Sequence, residues 1–407
     1  MSKKNIKTII NKYIVIISFI LNFIMIPIFI FTNTNKPIIP IGLLVFILSI
    51  SIILYFKELS KTKKALLFNF GIISLFIVGL EIFFNIPKSN NKEIINTGTL
   101  YKSNYFTDDD LIGYRATKNS QVTSKKMTED GQVFYDVTYT INKYGLRVSP
   151  HDLKENITNN YNFKNILFFG GSFTFGEGVN DDENLPWKIE EKSNYKLKSY
   201  NFGFHGYGPH QMLRTLELGL IDNIVDLNKS SIFMYLLIPD HIDRASGNYP
   251  YIIWGSNSPR YIIDEKEIVK YDGMFKDKIQ FEIIKKLESL FNKSSILNRI
   301  KNNILGWKRT KKDVDLLIKI IEKSNNIIKD KYNSKLNIIF WYDINDSDSE
   351  YILKSLKDLG INVYYVRDIV PDMKINWKKY MIEGDGHPSK YCYDSIAEFL
   401  IDEIDKL

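Results

Sequence analysis

The sequence predicts an α/β protein whose parallel sheet is covered by helices on both faces, preceded by three membrane-crossing helices. Three observations carry this reading. Long apolar runs nearly free of charge crowd the first 87 residues. From Asn165 onward, short apolar runs alternate with helical stretches of ten or more residues, the pattern of strands joined by helical crossovers. The strand candidates also show little polar alternation, as expected where both faces of a sheet are buried.

The apolar runs cover residues 13–31, 38–56 and 65–84, each close to the roughly 20 residues that cross a bilayer core as a helix. Glu81, near the end of the third, lies where a carboxylate reaches the interface. Lys3, Lys4, Lys7 and Lys12 precede the first run, and Lys57, Lys61, Lys63 and Lys64 fill the loop after the second. Only Lys36 lies between the first two. The positive-inside rule then predicts a multi-pass membrane protein with a cytoplasmic N-terminus and with everything after Pro87 on the outer face, so the lipid bilayer is an expected partner.

Charge follows the same division. The 407-residue chain carries a formal +7, yet residues 1–100 hold 11 lysines, no arginine and 3 glutamates, which is +8 and leaves −1 for the rest. The basic excess belongs to the apolar part, which argues against a nucleic-acid partner. A single cysteine, Cys392, excludes an intrachain disulfide and a thiolate metal cluster.

Residues 1–87 are therefore the membrane region, 88–164 a tether and β-rich segment, and 165–407 the α/β domain. Alternation around residues 135–141 predicts an antiparallel ribbon. Strands are predicted at 166–169, 198–202, 231–238, 336–342 and 361–366. Helices are predicted at 185–195, with Pro186 in the first turn, and at 209–224, 314–331, 351–359 and 390–407. The segment 252–305 fits neither period and reads as an insertion that covers a site.

The stretch NILFFGGSFTFGEGV places Ser172 just past a strand's carboxyl end, where ligand sites of parallel sheets collect. Gly170 and Gly171 permit a tight turn, and the helix that follows offers unpaired N–H groups beside the hydroxyl. A glycine-rich turn with a capping serine has the same spacing. Gly170, Gly171, Gly176 and Gly178 match neither the dinucleotide fingerprint nor a phosphate loop ending in Lys-Ser/Thr.

Three stretches, GGSFTFGEGV, NFGFHGYGPHQ and DGHPS, resemble the blocks of the SGNH, or GDSL-type, hydrolases, and they occur in family order between residue 165 and the C-terminus. The resemblance implies a flavodoxin-like three-layer α/β/α domain with serine esterase or acyltransferase chemistry. The form with membrane helices ahead of that domain resembles bacterial envelope enzymes. By the same resemblance Ser172 is the nucleophile, His387 the base that takes its proton, and Asp385 the acid that orients the ring. The commoner acid position, three residues before the histidine, is Gly384 here; related members use the shorter Asp-x-His form, and Glu383 is the other carboxylate within reach. Donors to the oxyanion are expected from the backbone N–H groups of Ser172 and Gly206. The family's third donor is an asparagine in a Gly-x-Asn-Asp block, where this chain has LLIPDHIDRAS. An ionised Asp240 would repel an oxyanion, which makes His241 the expected third donor.

The expected function is that of a membrane-anchored serine esterase acting on ester-linked acyl groups, foremost acetyl, of an envelope glycan or a similar small ester. An O-acyltransferase would share the same acyl-enzyme and differ only in the acceptor. Such chemistry calls for no cofactor and no metal. Two other readings stand beside it. His205, His210, His241 and His387 with Asp240 and Asp385 could bind zinc for a zinc-dependent hydrolase, although no H-E-x-x-H motif is present. A non-catalytic glycan-binding or scaffold module is the other. Tyr249, Tyr251, Trp254 and Tyr261 are candidates to line a substrate cleft.

Overall fold

The computed structural model describes residues 43, 46–50, 52, 60–85, 94–153, 163–306, 308–341 and 346–404. The chain divides into two compact units, Met1–Asn91 with Glu282–Trp307, and Lys92–Phe281 with Lys308–Leu407.

In the first unit, a 25-residue helix, Lys61–Asn85, is apolar nearly all round, with Leu66, Phe70, Phe76 and Phe83 exposed. Among the described residues it contributes the one segment, Lys61–Phe84, long and apolar enough to cross a membrane. This corrects the expectation of three crossing helices, and with it the multi-pass localisation and the sidedness drawn from it. Hydropathy and length set only a necessary condition, since a spanning segment must also keep its backbone groups paired along one continuous helix. The run 13–31 and most of 38–56 lie outside the described residues. The same unit takes in residues 282–305 of the segment 252–305 that sequence reading left unassigned, within two amphipathic helices, Ile279–Asn292 and Ser295–Leu305, the second starting from the Ser294 cap; the remainder of that segment lies in the second unit. Residues 279–281 of the first of these helices belong to the second unit.

The second unit opens with strands β1 (Ile94–Thr97), β2 (Phe106–Asp109), β3 (Gly113–Ala116), β4 (Ser120–Thr128) and β5 (Val133–Ile141). β4 and β5 form the expected antiparallel ribbon, and β1 adds to its edge so that Asn96 lies opposite Lys126. The α/β part supplies β6 (Lys164–Gly170), β7 (Leu197–Asn201), β8 (Ser231–Leu237), β9 (Pro259–Ile263), β10 (Val269–Met274), β11 (Leu336–Phe340) and β12 (Asn362–Tyr365). Five of these form one parallel sheet in the order β12-β11-β8-β6-β7. Numbered along the sheet-forming chain this is 2-1-3-4-5, the doubly wound flavodoxin-like order, whose switch point falls beside β6.

Both faces of β6 are buried, which is why its sequence reads as an unbroken apolar run. Leu167 and Phe169 point to one side, with helices Pro209–Glu217 and Lys311–Tyr332 packed over them. Ile166 and Phe168 point to the other, beneath helices Leu185–Lys192 and Lys390–Ile404. The period-two alternation of side chains turns one run into two cores. The helix predicted at 209–224 stops at Glu217, because Gly219 turns the chain with a φ of 62°. β9 and β10 pair as an antiparallel hairpin outside the main sheet.

Candidate active site

The site is built on the turn that leaves β6. Gly170, at a φ of 145°, has no room for a side chain, since a Cβ there would meet Thr174 Oγ1 and the Leu236 carbonyl. A Cβ on Gly171 would likewise meet the Arg244 guanidinium, the Tyr207 carbonyl and His241. This tight passage delivers Ser172 to the first position of a one-turn helix, Ser172–Phe175. The turn beyond it is held by Arg147, which is fully buried and donates to the carbonyl oxygens of Phe175, Gly176 and Val179 at 2.9, 2.6 and 2.7 Å while its Nε donates to Asp181 at 2.9 Å. Arg147 also forms β-bridges to Ile141 and Asn201, which ties the leading ribbon to the edge strand β7.

Ser172, Asp385 and His387 come together from opposite ends of the unit. Ser172 Oγ lies 2.8 Å from His387 Nε2, and His387 Nδ1 lies 2.5 Å from Asp385 Oδ2. A carboxylate can only accept, so Nδ1 carries the proton and Nε2 of the neutral ring is left to accept from the serine hydroxyl. Lys126 of β4 donates to the other oxygen, Asp385 Oδ1, at 2.6 Å. Burial alone would raise the Asp385 pKa, but the hydrogen bond and charge of His387, joined by Lys126, hold it below the usual carboxylate range.

A second carboxylate faces the same ring. Glu177 Oε2 accepts from His205 Nδ1 at 2.7 Å and lies 3.7 Å from His387 Nε2. Its pKa is held at about 2, because the charges of His205, His387 and Lys126 outweigh the penalty of burial. For His387, burial disfavours the charged ring, yet the Asp385 hydrogen bond and the Glu177 and Asp385 charges more than offset it and raise the pKa above the ordinary histidine value. A base must be neutral to act, so activity should rise with pH through this raised pKa. Glu177→Gln is expected to move the acid limb of the kcat/KM profile to lower pH, while Glu177→Asp retains most of the wild-type position. An acid limb unmoved in Glu177→Gln would show that the carboxylate does not act on the ring.

A cleft of about 470 Å³ opens over Ser172 and His387, with Glu177, Arg244, Trp341 and Trp377 in its walls. Gly206 and His241 are not among its lining residues. Gly206, at a φ of 73°, is packed against Trp254 and the Tyr114 hydroxyl. The backbone N–H groups of Ser172 and Gly206 donate to no protein acceptor among the described residues. His241 is buried behind the Gly171 turn, its Nδ1 2.8 Å from the Tyr235 hydroxyl, and burial together with the Arg244 charge holds its pKa well below the ordinary value. Asp240 does line the cleft, on the rim facing Arg309 at 3.8 Å. Glu383 is exposed and paired with Lys378.

The histidines do not converge on a metal centre. Burial and the Arg244 charge lower the His210 pKa to about 3, and its Nε2 pairs with the Tyr251 hydroxyl at 2.9 Å. Glu177, Asp385 and His387 form the one group among the described residues whose ligand atoms lie within 4.8 Å of one another. Lys126 and His205 already bring their own N–H donors to both carboxylates, so this donor set does not fit a divalent cation. The aromatic candidates pack elsewhere. Tyr249, Tyr251 and Tyr261 are buried, Tyr261 donating to Glu217 at 2.6 Å, and Trp254 is half exposed away from this cleft.

Sequence reading missed Glu177, Lys126, Arg147 and Arg244. Glu177 was visible as the sole carboxylate inside GGSFTFGEGV, whereas Lys126 is 259 residues from its partner and carries no local signal.

No protein-family model and no curated protein matches the chain. Solved structures similar to it include a member of the lipolytic protein G-D-S-L family from Veillonella parvula DSM 2008, at 12% identity and a TM-score of 0.36, covering 60% of this chain and all of that one. An arylesterase candidate from Agrobacterium tumefaciens str. C58 is similar at 13% identity and a TM-score of 0.33, over 60% of this chain and 99% of that one. A gut microbial diltiazem-metabolizing enzyme, at 13% identity and a TM-score of 0.33, covers 63% of this chain and 48% of its own.

Proposed function

We propose that the chain is a serine-dependent carboxylic ester hydrolase that removes a small acyl group, foremost acetyl, from a hydroxyl-bearing carrier of the sugar class. The observation that carries this reading is the continuous hydrogen-bonded series Asp385–His387–Ser172, at 2.5 and 2.8 Å, opening into a cleft. The three sequence blocks that resemble SGNH hydrolases support the same roles.

In this reading Ser172 Oγ attacks the ester carbonyl as its proton passes to His387 Nε2, and Asp385, kept ionised by His387 itself together with Lys126, stabilises the imidazolium. The N–H group of Ser172, which meets no protein acceptor among the described residues, receives the oxyanion. The imidazolium then protonates the departing alcohol. Water enters, gives one proton to the same nitrogen as its oxygen bonds to the acyl carbon, and the acid departs as the imidazolium returns that proton to Ser172 Oγ. The modest cleft suits a short acyl chain, and the flat faces of Trp341 and Trp377 suit a ring-shaped carrier.

The purified full chain in detergent, treated with a fluorophosphonate, should gain one adduct by intact mass, located by peptide mapping at Ser172, with parallel loss of aryl-acetate hydrolysis. Activity should persist in chelator. An adduct confined to another residue, or hydrolysis abolished by chelator and restored by zinc, would overturn the proposed roles.

A further inference from the structure

The two helices from the unassigned segment have a feature that neither the candidate site nor the sheet explains. Their outer faces are apolar and exposed. Ile283, Leu287 and Leu290 recur at i, i+4 and i+7 along helix Ile279–Asn292, and Leu290 is 55% exposed. Ile300 and Ile304 form a matching stripe on helix Ser295–Leu305, with Ile304 57% exposed. A helix in a water-facing protein buries such a stripe. Here burial is given instead to Phe291, at the flank of the first stripe, and to Leu305.

Three observations indicate what covers the stripe. First, the pair is tied to the apolar helix Lys61–Asn85. The Glu81 carboxylate accepts from Ser294 Oγ at 2.8 Å, from the Ile296 N–H at 3.2 Å and from the Ser295 N–H, so the lone acid within the apolar span serves as the N-terminal anchor of helix Ser295–Leu305. Second, the Arg299 guanidinium sits 4.5 Å from the Phe84 ring, which fixes the pair at the C-terminal end of the apolar helix. Third, residues 282–307 hold five basic and two acidic side chains, a charge of +3, and Lys286 and Lys293 flank the exposed stripe on helix Ile279–Asn292.

We propose that residues 282–305 form an interfacial hairpin that lies in the headgroup region of an anionic lipid bilayer, beside the end of helix Lys61–Asn85. Such helices place their apolar face about 5–10 Å into the boundary between headgroups and acyl chains. Lysine stems extend along the apolar surface while their ammonium groups meet the lipid phosphates, each favoured near an anionic surface by about fivefold. The assignment depends on neither the number of crossings nor the esterase reading.

Cys392 is fully buried, with its thiol pushed up to about 12 by burial, so an introduced exposed cysteine can be labelled selectively. The full chain carrying Leu290→Cys, Ile304→Cys or Ser289→Cys, labelled with an environment-sensitive dye, is reconstituted into phosphatidylcholine–phosphatidylserine vesicles whose acyl chains bear bromine. Dyes at 290 and 304 should be blue-shifted and quenched at least threefold more than the dye at 289, which lies off the stripe. Quenching at 290 should weaken in purely phosphatidylcholine vesicles. Equal water exposure at all three positions would overturn the proposal. Shielding without bromine quenching, accompanied by energy transfer between copies, would assign the stripe to a second copy of this chain instead. Unchanged quenching in neutral vesicles would overturn the anionic character of the surface.

Discussion

Replacing His387 by alanine is expected to lower kcat for ester hydrolysis by about 10⁴-fold, with Ser172→Ala losing at least as much and the double variant no worse than either single one. The expectation of non-additivity follows from the geometry. Ser172 reaches a base only through the 2.8 Å contact with Nε2, and that nitrogen is poised by the proton that Asp385 holds on the opposite side of the ring. Once either member is gone, the other has no partner with which to act, and the residual rate reflects binding and oxyanion donors alone. Asp385→Asn should fall between wild type and His387→Ala, because an amide can support the ring in the wrong tautomer. The variants are compared on an aryl acetate with folding checked by circular dichroism. Multiplicative losses in the double variant, or a Ser172→Ala protein with more than about a tenth of wild-type kcat, would rule out a shared proton path.

Arg147→Met is expected to destabilise the α/β unit by about 3–5 kcal/mol, seen as a melting temperature lower by roughly 10 °C. The methionine keeps much of the volume but removes the donors to three carbonyl oxygens and leaves Asp181 without its buried partner. It also removes the cation stacked 4.6 Å from the Tyr139 ring and 4.9 Å from that of Phe175. Arg147→Lys should recover only part of the loss, since one ammonium cannot satisfy a fork of acceptors spread over residues 175–181. A loss below about 1 kcal/mol in Arg147→Met would mean that the 175–179 turn is held by other contacts.

What was legible in the sequence follows from range of interaction. Burial of β6 on both faces writes itself into Ile166–Phe169 as consecutive apolar residues, and the glycines around Ser172 are demanded by the turn itself, so strand, turn and serine could be read locally. The spacing of Asp385 and His387 was equally local. Arg147, Lys126 and Glu177 act through partners that only the closed fold supplies, and a lone lysine in a strand does not announce a carboxylate at the far end of the chain. The helices of residues 279–305 were illegible for the opposite reason. Their apolar stripe faces outward, so the hydrophobic period that marks a core-facing helix was blurred by a second, exposed one. Hydropathy likewise overread the N-terminal part, where among the described residues one helix long and apolar enough to cross a membrane stands in place of the expected three.

The pairing of β1 with β4 bears on how the chain can be dissected into portable parts. Asn96 lies opposite Lys126, and Lys126 is the residue that holds the acid of the Ser172 site. A shortened protein starting at Leu100 would keep the sheet, the cleft and Ser172, Asp385 and His387, yet it would strip the edge from the strand that carries the lysine. Such a fragment should fold and still hydrolyse esters sluggishly, with its pH profile displaced. The smallest portable form of the Ser172 site therefore begins no later than Ile94, well ahead of β6.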